Sequence, residues 1–260
     1  MTNYFVVPDI HGQYDKLNKL LNTIVDKKLP EDVIIFLGDY IDRGNNSKDV
    51  VNLCYEFSKR KDTIFLLGNH DIAFFESLNN VLNYDISSVE WLHHNCIETL
   101  KSYDISYHEL INLSIEDLLL IDTHTKFKER FKSLIRSIQR FMITSDYTKL
   151  KKLIISCRSY YETNHYVFSH SGGVAFLKPE ENTLNQWLWS RDFQERKYSN
   201  KLFVCGHTPI DSSSPVIFNN CLLCDTGSIF TGEDLPYIIL NDKGQSYIKW
   251  GENIVKRYKK

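Results

Sequence analysis

Residues 33–44 read VIIFLGDYIDRG, an apolar run that ends abruptly in glycine, acidic and basic residues. Consecutive apolar residues rich in branched side chains predict a short β-strand that is buried on both faces. Glycine and aspartate, which follow at Gly38 and Asp39, favour tight turns over continued strand. The stretch therefore predicts a buried strand that ends in a polar loop.

The same arrangement recurs on both sides of this stretch. Upstream, the apolar run at residues 4–9 ends in Asp9-Ile10-His11-Gly12, and downstream the run at residues 63–70 ends in Gly68-Asn69-His70-Asp71. Amphipathic segments with helical spacing separate the three runs. Strand, helix, strand, helix, strand indicates an α/β fold built in layers around a buried sheet.

The pattern changes in the middle of the chain. Apolar residues there recur at helical spacing only, and strands resume at residues 166–171 and 201–207. We therefore expect one domain over residues 1–260, made of two βα halves with a helical cap insertion at about residues 85–155. The predicted helices of the middle part are 71–80, 89–103, 107–121, 127–142 and 146–155.

Composition excludes several classes of protein. The chain has 260 residues, 42% of them hydrophobic, and its 31 Lys and Arg against 33 Asp and Glu give a net charge of −2. This is the composition of an ordinary globular protein, and the charge balance offers no electrostatic footprint for nucleic acid. No apolar run approaches the length of a membrane span and no secretion signal is visible. We expect a cytoplasmic protein (in the host cytoplasm if a phage encodes it) with its six cysteines reduced.

Unusual polar side chains follow five of the predicted strands. Ligands in open α/β sheets bind beyond the carboxyl ends of the strands, so these loops are expected to converge. Two carboxylates, one amide and three imidazoles suit Mn, Fe, Zn or similar divalent ions, and a bridging carboxylate can hold two metals that clamp a phosphate. The candidate ligands are Asp9, His11, Asp39, Asn69, His170 and His207.

The series PDIHG, GDYIDRG, GNHD, SHSG and GHT resembles the calcineurin-like metallophosphoesterase superfamily. It is most similar to the PPP-type serine/threonine phosphatases, in the compact bacterial and bacteriophage (lambda phosphatase-like) branch. The resemblance implies a four-layer α/β/β/α sandwich with mixed sheets. It also implies a metal-dependent phosphoric monoester hydrolase with a dinuclear metal centre, in which manganese is the expected metal and Fe, Zn, Ni or Co are alternatives.

The resemblance also assigns roles to the candidate residues. Asp9 and His11 would bind the first metal, Asp39 would bridge both metals, and Asn69, His170 and His207 would complete the second site. A hydroxide held between the metals would attack the phosphorus of a phosphorylated protein or a small phosphoester.

Catalytic roles follow from the same resemblance. His70 would be the general acid, oriented by Asp42, and Arg43 would bind the phosphate oxygens. Arg191, in QWLWSRDF, would be a second phosphate ligand, and Arg158 could also face the site. We expect the neighbouring Trp187 and Trp189 to lie in the core rather than to bind substrate.

Three functions remain open at this stage. Asp71 makes the third motif GNHD rather than the GNHE that is commoner in protein phosphatases, and Asp is frequent there in diadenosine tetraphosphate hydrolases. Those hydrolases commonly lack the Asp of the DRG motif, however, whereas Asp42 is present here. Phosphoserine and phosphothreonine are therefore the leading substrates, with dinucleoside tetraphosphates or nucleotides as the alternative. A non-catalytic binding protein on the same fold is the third reading, although no expected ligand is missing.

Overall fold

The computed structural model describes residues 2–195, 199–211, 214–243, 248–250 and 253–256. Eleven strands lie within these ranges and form two mixed sheets. The first sheet consists of β1 (Asn3–Val7), β2 (Val33–Phe36), β3 (Thr63–Phe65), β9 (Ile238–Asn241), β10 (Ile248–Trp250) and β11 (Asn253–Lys256), in the order β11-β10-β9-β1-β2-β3. The second consists of β4 (Tyr160–Glu162), β5 (Tyr166–Ser169), β6 (Leu202–Cys205), β7 (Val216–Phe218) and β8 (Cys221–Leu223), in the order β4-β5-β6-β8-β7.

The two sheets pack face to face. Alternate residues of a strand point to opposite faces, so Tyr4 and Val6 of β1 contribute to the core between the sheets together with Phe168 and Val204 of the second sheet. Three neighbouring strands of each sheet are parallel, namely β1-β2-β3 and β5-β6-β8, and the remaining pairings are antiparallel. The carboxyl ends of both parallel sets therefore meet at one edge of the sandwich.

Helices cover the outer faces of both sheets. They are α1 (Tyr14–Lys27), α2 (Ser47–Ser58), α3 (Asn69–Leu82), α4 (Ile86–Asn95), α5 (Ile97–Ser102), α6 (Ile115–Leu119), α7 (His124–Arg130), α8 (Lys132–Phe141), α9 (Ser145–Ser156), α10 (Leu184–Trp189) and α11 (Ser228–Thr231). The helices α1, α2 and α3 share a core with the outer face of the first sheet, and Trp187 of α10 packs on the outer face of the second. The predicted α/β sandwich with mixed sheets is confirmed.

The helical segment between β3 and β4 differs in detail from its prediction. The single helix expected at 107–121 is reduced to α6, because the Ser114 hydroxyl accepts a hydrogen bond from the Asp117 amide and starts a helix there. The helix expected at 127–142 is broken at Phe131, where the Glu109 carboxylate accepts hydrogen bonds from the amides of Ser133 and Leu134 and caps α8. Both breaks depend on polar side chains that cap a helix, and the spacing of apolar residues does not reveal such caps. Among the described residues, no helix combines the length and apolarity needed to cross a bilayer.

Candidate functional site

Asp39 lies at the centre of the cluster of polar side chains at the carboxyl ends of the strands. Its two carboxylate oxygens face different imidazoles, with His11 Nε2 at 3.6 Å from Oδ2 and His170 Nε2 at 3.5 Å from Oδ1. Two groups of side chains, His11 with Asp39 and His70, and Asp9 with Asp39 and His170, each place their ligand atoms within 4.8 Å of one another. Asp39 belongs to both groups, which is the position expected of a bridging ligand.

Asn69 and His207 complete the predicted set. The Asn69 side-chain oxygen lies 2.8 Å from His170 Nε2 and 2.9 Å from His207 Nδ1. The His207 amide donates to the Asp9 carboxylate at 3.0 Å, which ties the loop after β6 to the loop after β1. Gly206 permits this approach because a β-carbon there would collide with the Asp9 carboxylate. All six predicted ligands thus lie in one buried cluster.

The imidazoles of His11 and His170 are held in one tautomer and kept neutral. Their Nδ1 atoms face the carbonyl oxygens of Ile41 and Leu37, each at 2.9 Å, so Nδ1 carries the proton and the lone pair of Nε2 points towards Asp39. Burial lowers the pKa of His11 to about 3 despite the opposing charge of Asp39, and it lowers the pKa of His170 in the same way. Burial, with the neighbouring His170, also lowers the pKa of His207 to about 3. Neutral imidazole is the form that binds metals.

Two carboxylates of the cluster, those of Asp9 and Asp225, lack a neighbouring positive charge that would offset their burial. Burial raises the pKa of Asp9 well above its ordinary value, and the charges of Asp225 and Asp39 raise it further. Burial likewise raises the pKa of Asp225 to about 6. Clustered carboxylates beside neutral imidazoles are the arrangement that a divalent cation offsets. The donor set therefore fits divalent metal ions.

Asp225 was not among the predicted site residues. It follows β8, so it stands at a strand end in the same way as the predicted ligands, and it is buried beside Asp9. The sequence signal was the CDTG segment, in which an apolar run again ends in an acidic residue and a glycine.

Asp71 organises the loop that carries Asp39. Its buried carboxylate accepts hydrogen bonds from the amides of Asp39 at 2.8 Å, Tyr40 at 2.9 Å and Gly68 at 3.1 Å. Burial, reinforced by the charge of Asp39, raises the pKa of Asp71 to about 8. The last residue of the GNHD motif therefore supports the Asp39 loop in this chain.

The backbone is strained around the cluster. His11, Asp39, Asp42, Arg43 and His207 all adopt left-handed conformations, with φ between 46° and 69°. Residues other than glycine rarely do so unless the surrounding structure holds them, and such strain is concentrated at functional sites.

His70 lies against the cluster and is paired with a carboxylate. Its Nδ1 is 2.8 Å from Asp42 Oδ2, and Asp42 is fully buried. Burial alone would lower the pKa of His70, but the carboxylates of Asp39 and Asp42 outweigh it and raise the pKa above its ordinary value. The other ring nitrogen, Nε2, is 3.3 Å from a guanidinium nitrogen of Arg43, whose side chain lies over the Phe230 ring at 5.1 Å.

The three predicted arginines are placed differently. Arg43 and Arg191 are exposed, Arg43 beside His70 and Arg191 close enough to His207 for its charge to lower the pKa of that imidazole. Arg158 instead lies over the Tyr161 ring at 5.6 Å. Among the described residues, no hydrogen bond or ion pair joins the Arg158 guanidinium to the cluster, and its role as a phosphate ligand stays a prediction.

Two indoles stand beside the imidazoles of the site. The Trp91 ring is 5.4 Å from His70, the Trp189 ring is 6.1 Å from His207, and the two indoles meet edge to face at 5.8 Å between centroids. Trp187 is buried as predicted, but the prediction for Trp189 was wrong because this side chain is 42% exposed. Trp187 and Trp189 are two residues apart on the short helix α10, so they project in different directions.

Comparison with known families decides the class of this site. The model of the family described as calcineurin-like phosphoesterase matches residues 3–248. The chain belongs to the calcineurin-like phosphoesterase family. Membership accounts for the cluster of histidine and aspartate side chains at the ends of the strands, since the family is dimetal-dependent.

Individual relatives of this calcineurin-like phosphoesterase carry two kinds of name. A bis(5'-nucleosyl)-tetraphosphatase (asymmetrical) of Halalkalibacterium halodurans is 25% identical over 236 residues, which is 87% of this chain and 86% of that protein. A Caenorhabditis elegans protein named as a serine/threonine-protein phosphatase is 43% identical over 81 residues, which is 30% of this chain and only 21% of that protein.

Solved structures show the same fold. The cold-active protein-tyrosine phosphatase of a psychrophilic Shewanella species superimposes with a TM-score of 0.58 at 18% identity, over 96% of this chain and 77% of the other. A structure described as a diadenosine tetraphosphatase superimposes with a TM-score of 0.51 at 14% identity, over 91% of this chain and 87% of the other. At these identities the likeness concerns the fold alone.

Proposed function

We propose that this calcineurin-like phosphoesterase hydrolyses phosphomonoesters, with phosphoserine and phosphothreonine of proteins as substrates and His70 as the general acid. The observation that carries the proposal is the buried Asp42–His70 pair, held at 2.8 Å beside the Asp39 cluster. An alkoxide is a poor leaving group, so hydrolysis of an alkyl phosphate gains most from a positioned proton donor. The nematode relative named as a serine/threonine-protein phosphatase agrees with this proposal.

The proposed metal ligands are the six clustered side chains, divided between two sites as the family resemblance implies. Asp39 would bridge two cations, Asp9 and His11 would complete one site, and Asn69, His170 and His207 would complete the other. When bound, two divalent metals activate a water for attack and neutralise charge on the phosphoryl group. Manganese is the proposed metal, since carboxylate and imidazole ligands accept it along with Fe, Zn, Ni and Co.

Side chains of the protein would bind the phosphate and supply the proton. Arg43 and Arg191 would bind the phosphate oxygens, because a guanidinium presents a planar pair of donors that matches two of them. Asp42 fixes the orientation of the His70 ring through Nδ1, which leaves Nε2 to hand a proton to the leaving oxygen. Arg43 lies beside that Nε2 atom, so the group that binds phosphate is already next to the acid.

A second substrate class, the dinucleoside tetraphosphates, is favoured by two specific observations. The relative that aligns over 87% of this chain is named as a bis(5'-nucleosyl)-tetraphosphatase. The indoles of Trp91 and Trp189 also stand at the edge of the site, and an exposed indole beside a phosphate site offers a surface on which a nucleobase can stack.

A turnover panel separates the two substrate classes. The manganese-loaded protein is assayed on phosphoserine, phosphothreonine and phosphotyrosine peptides, on diadenosine tetraphosphate and on p-nitrophenyl phosphate. We expect kcat/KM for the phosphoserine and phosphothreonine peptides to exceed that for the tetraphosphate by about tenfold or more, because a positioned acid such as His70 accelerates the departure of an alkoxide more than that of a phosphate. The same panel on W189A, with W189F as the matched control that keeps an aromatic ring, tests the base-stacking surface.

A higher kcat/KM for the tetraphosphate than for the phosphopeptides would identify dinucleoside tetraphosphates, rather than phosphoproteins, as the substrates. In that case W189A should lower kcat/KM for the tetraphosphate by about tenfold, since a stacked base contributes roughly that much, and W189F should not. Absence of turnover on every phosphoester of the panel would contradict both classes.

A further inference from the structure

Thr99 is a buried residue of α5, in the helical segment between β3 and β4, and it contacts Asp42. Its hydroxyl donates to Asp42 Oδ1 at 2.6 Å and accepts a hydrogen bond from the Asp42 amide at 2.9 Å. The Ser47 hydroxyl oxygen lies 3.0 Å from the hydroxyl oxygen of Thr99. A threonine hydroxyl has one proton and two lone pairs, so with its proton on Asp42 it accepts from Ser47 and is fully satisfied.

The other carboxylate oxygen of Asp42 is held just as firmly. Asp42 Oδ2 accepts from His70 Nδ1 at 2.8 Å and from the Cys96 thiol at 3.4 Å, and Cys96 stands at the junction of α4 and α5. Each oxygen of the carboxylate thus accepts at least one hydrogen bond from a buried side chain. A carboxylate held at both oxygens cannot rotate freely, and it fixes the ring that it contacts.

The backbone of Asp42 makes this support necessary. Its φ of 69° is a left-handed conformation that an aspartate leaves unless other contacts hold it. Thr99 bonds to both the amide and the side chain of Asp42, so it opposes movement of the strained loop and rotation of the carboxylate together.

We infer that Thr99 is a positioning residue for the proton-transfer step, acting through Asp42 on His70. The inference rests on the proposed function, in which His70 protonates the leaving group. It also assigns a role to α5: this part of the helical segment supplies a component of the catalytic apparatus, in addition to any control of access to the site.

The substitution T99V tests the inference because valine keeps the shape of threonine and removes the hydroxyl. The readout is a pair of aryl phosphates. Phenyl phosphate releases a basic phenolate that needs a proton, whereas p-nitrophenyl phosphate releases a stabilised phenolate that leaves without one. We expect kcat for phenyl phosphate to fall by about 10- to 100-fold, since loss of alignment has effects of that size. We also expect a much smaller fall for p-nitrophenyl phosphate, little change in KM, and recovery in T99S, which restores the hydroxyl.

A double-mutant cycle separates positioning from a general structural role. If Thr99 acts only through His70, T99V should cause no further loss in the H70N background. Additive losses, or equal losses on the two aryl phosphates, would overturn the inference while leaving the proposed function intact. Failure of the wild-type protein to hydrolyse both aryl phosphates and the phosphoserine peptide would instead refute the proposed function.

Controls guard against damage to the fold. S88A removes the hydroxyl of another buried residue of the same segment, whose backbone amide donates to Asp85 at the start of α4, and should leave the ratio of the two turnover rates unchanged. Bound metal and the thermal midpoint are measured for every variant. If T99V does not fold, T99A provides the same comparison of leaving groups.

Discussion

Replacement of Asp39 by asparagine is expected to weaken both metal sites and abolish turnover. Asp39 is the side chain that the two candidate ligand groups share, and each of its oxygens faces a different imidazole. Asparagine offers one oxygen and no charge, so neither site keeps its bridging ligand. Loss of an outer-shell partner alone costs 10- to 100-fold in metal affinity, and we expect D39N to weaken both sites by about 100-fold or more.

Elemental analysis of purified D39N, alongside turnover of p-nitrophenyl phosphate, measures this effect. The matched control is D62N, which removes a carboxylate that pairs with Lys28 and Arg60. Asp62 lies just before β3, at the end of that strand opposite to the candidate site. D62N should retain both metals and its activity. Two full equivalents of metal in D39N would rule out the bridging role.

Replacement of His70 by asparagine is expected to leave the metals bound and to slow turnover of alkyl phosphates by about 100-fold or more. The side chain that would donate the proton is lost, while the six candidate ligands are untouched. The fall should be smaller for p-nitrophenyl phosphate, whose leaving group needs no proton. Steady-state kinetics on a phosphoserine peptide and on p-nitrophenyl phosphate give the two values.

Metal analysis of H70N is the essential companion measurement. His70 also falls in one of the two candidate ligand groups, with His11 and Asp39, so a role as a ligand is the alternative to a role as the acid. Loss of one metal equivalent in H70N would identify His70 as a ligand, and near-normal turnover would exclude it as the acid. The substitution H165N, at an exposed histidine before β5, should change neither metal content nor rate.

The arrangement of the site was predictable because each ligand follows an apolar strand. Asp9, Asp39 and Asn69 stand where an apolar run stops, and strands of this kind must be parallel neighbours in a buried sheet. Parallel strands end at the same edge, so proximity of these side chains follows from the pattern alone. The same reasoning would have found Asp225, had the apolar run before CDTG been read in the same way.

The residues that support the site from the helical segment could not be predicted from the pattern of strands. Thr99 meets Asp42 across 57 positions of sequence, and nothing in the pattern of an amphipathic helix tells which hydroxyl turns inward to a carboxylate. Trp91, which lies in α4 of the helical segment, likewise contacts His70 through a packing arrangement that the pattern does not predict. Periodicity predicts that such a helix packs, but the partner of a single side chain depends on how the helices are placed around the sheet.

The predicted boundaries of two helices were wrong for a related reason. The helices predicted at 107–121 and 127–142 have suitable apolar spacing, yet Ser114 and Glu109 bind free amides and break both. Local capping groups compete with a periodic pattern, and they decide where helices start.

Metal titration of the metal-free protein tests the central claim, a phosphoester hydrolase with two metals around Asp39, most directly. The protein is stripped with a chelator, manganese is added back in steps, and bound metal is measured together with turnover of p-nitrophenyl phosphate. We expect no turnover without metal and full turnover at two bound equivalents per chain. Full activity in the metal-free protein, or no turnover with both equivalents bound, would contradict the claim.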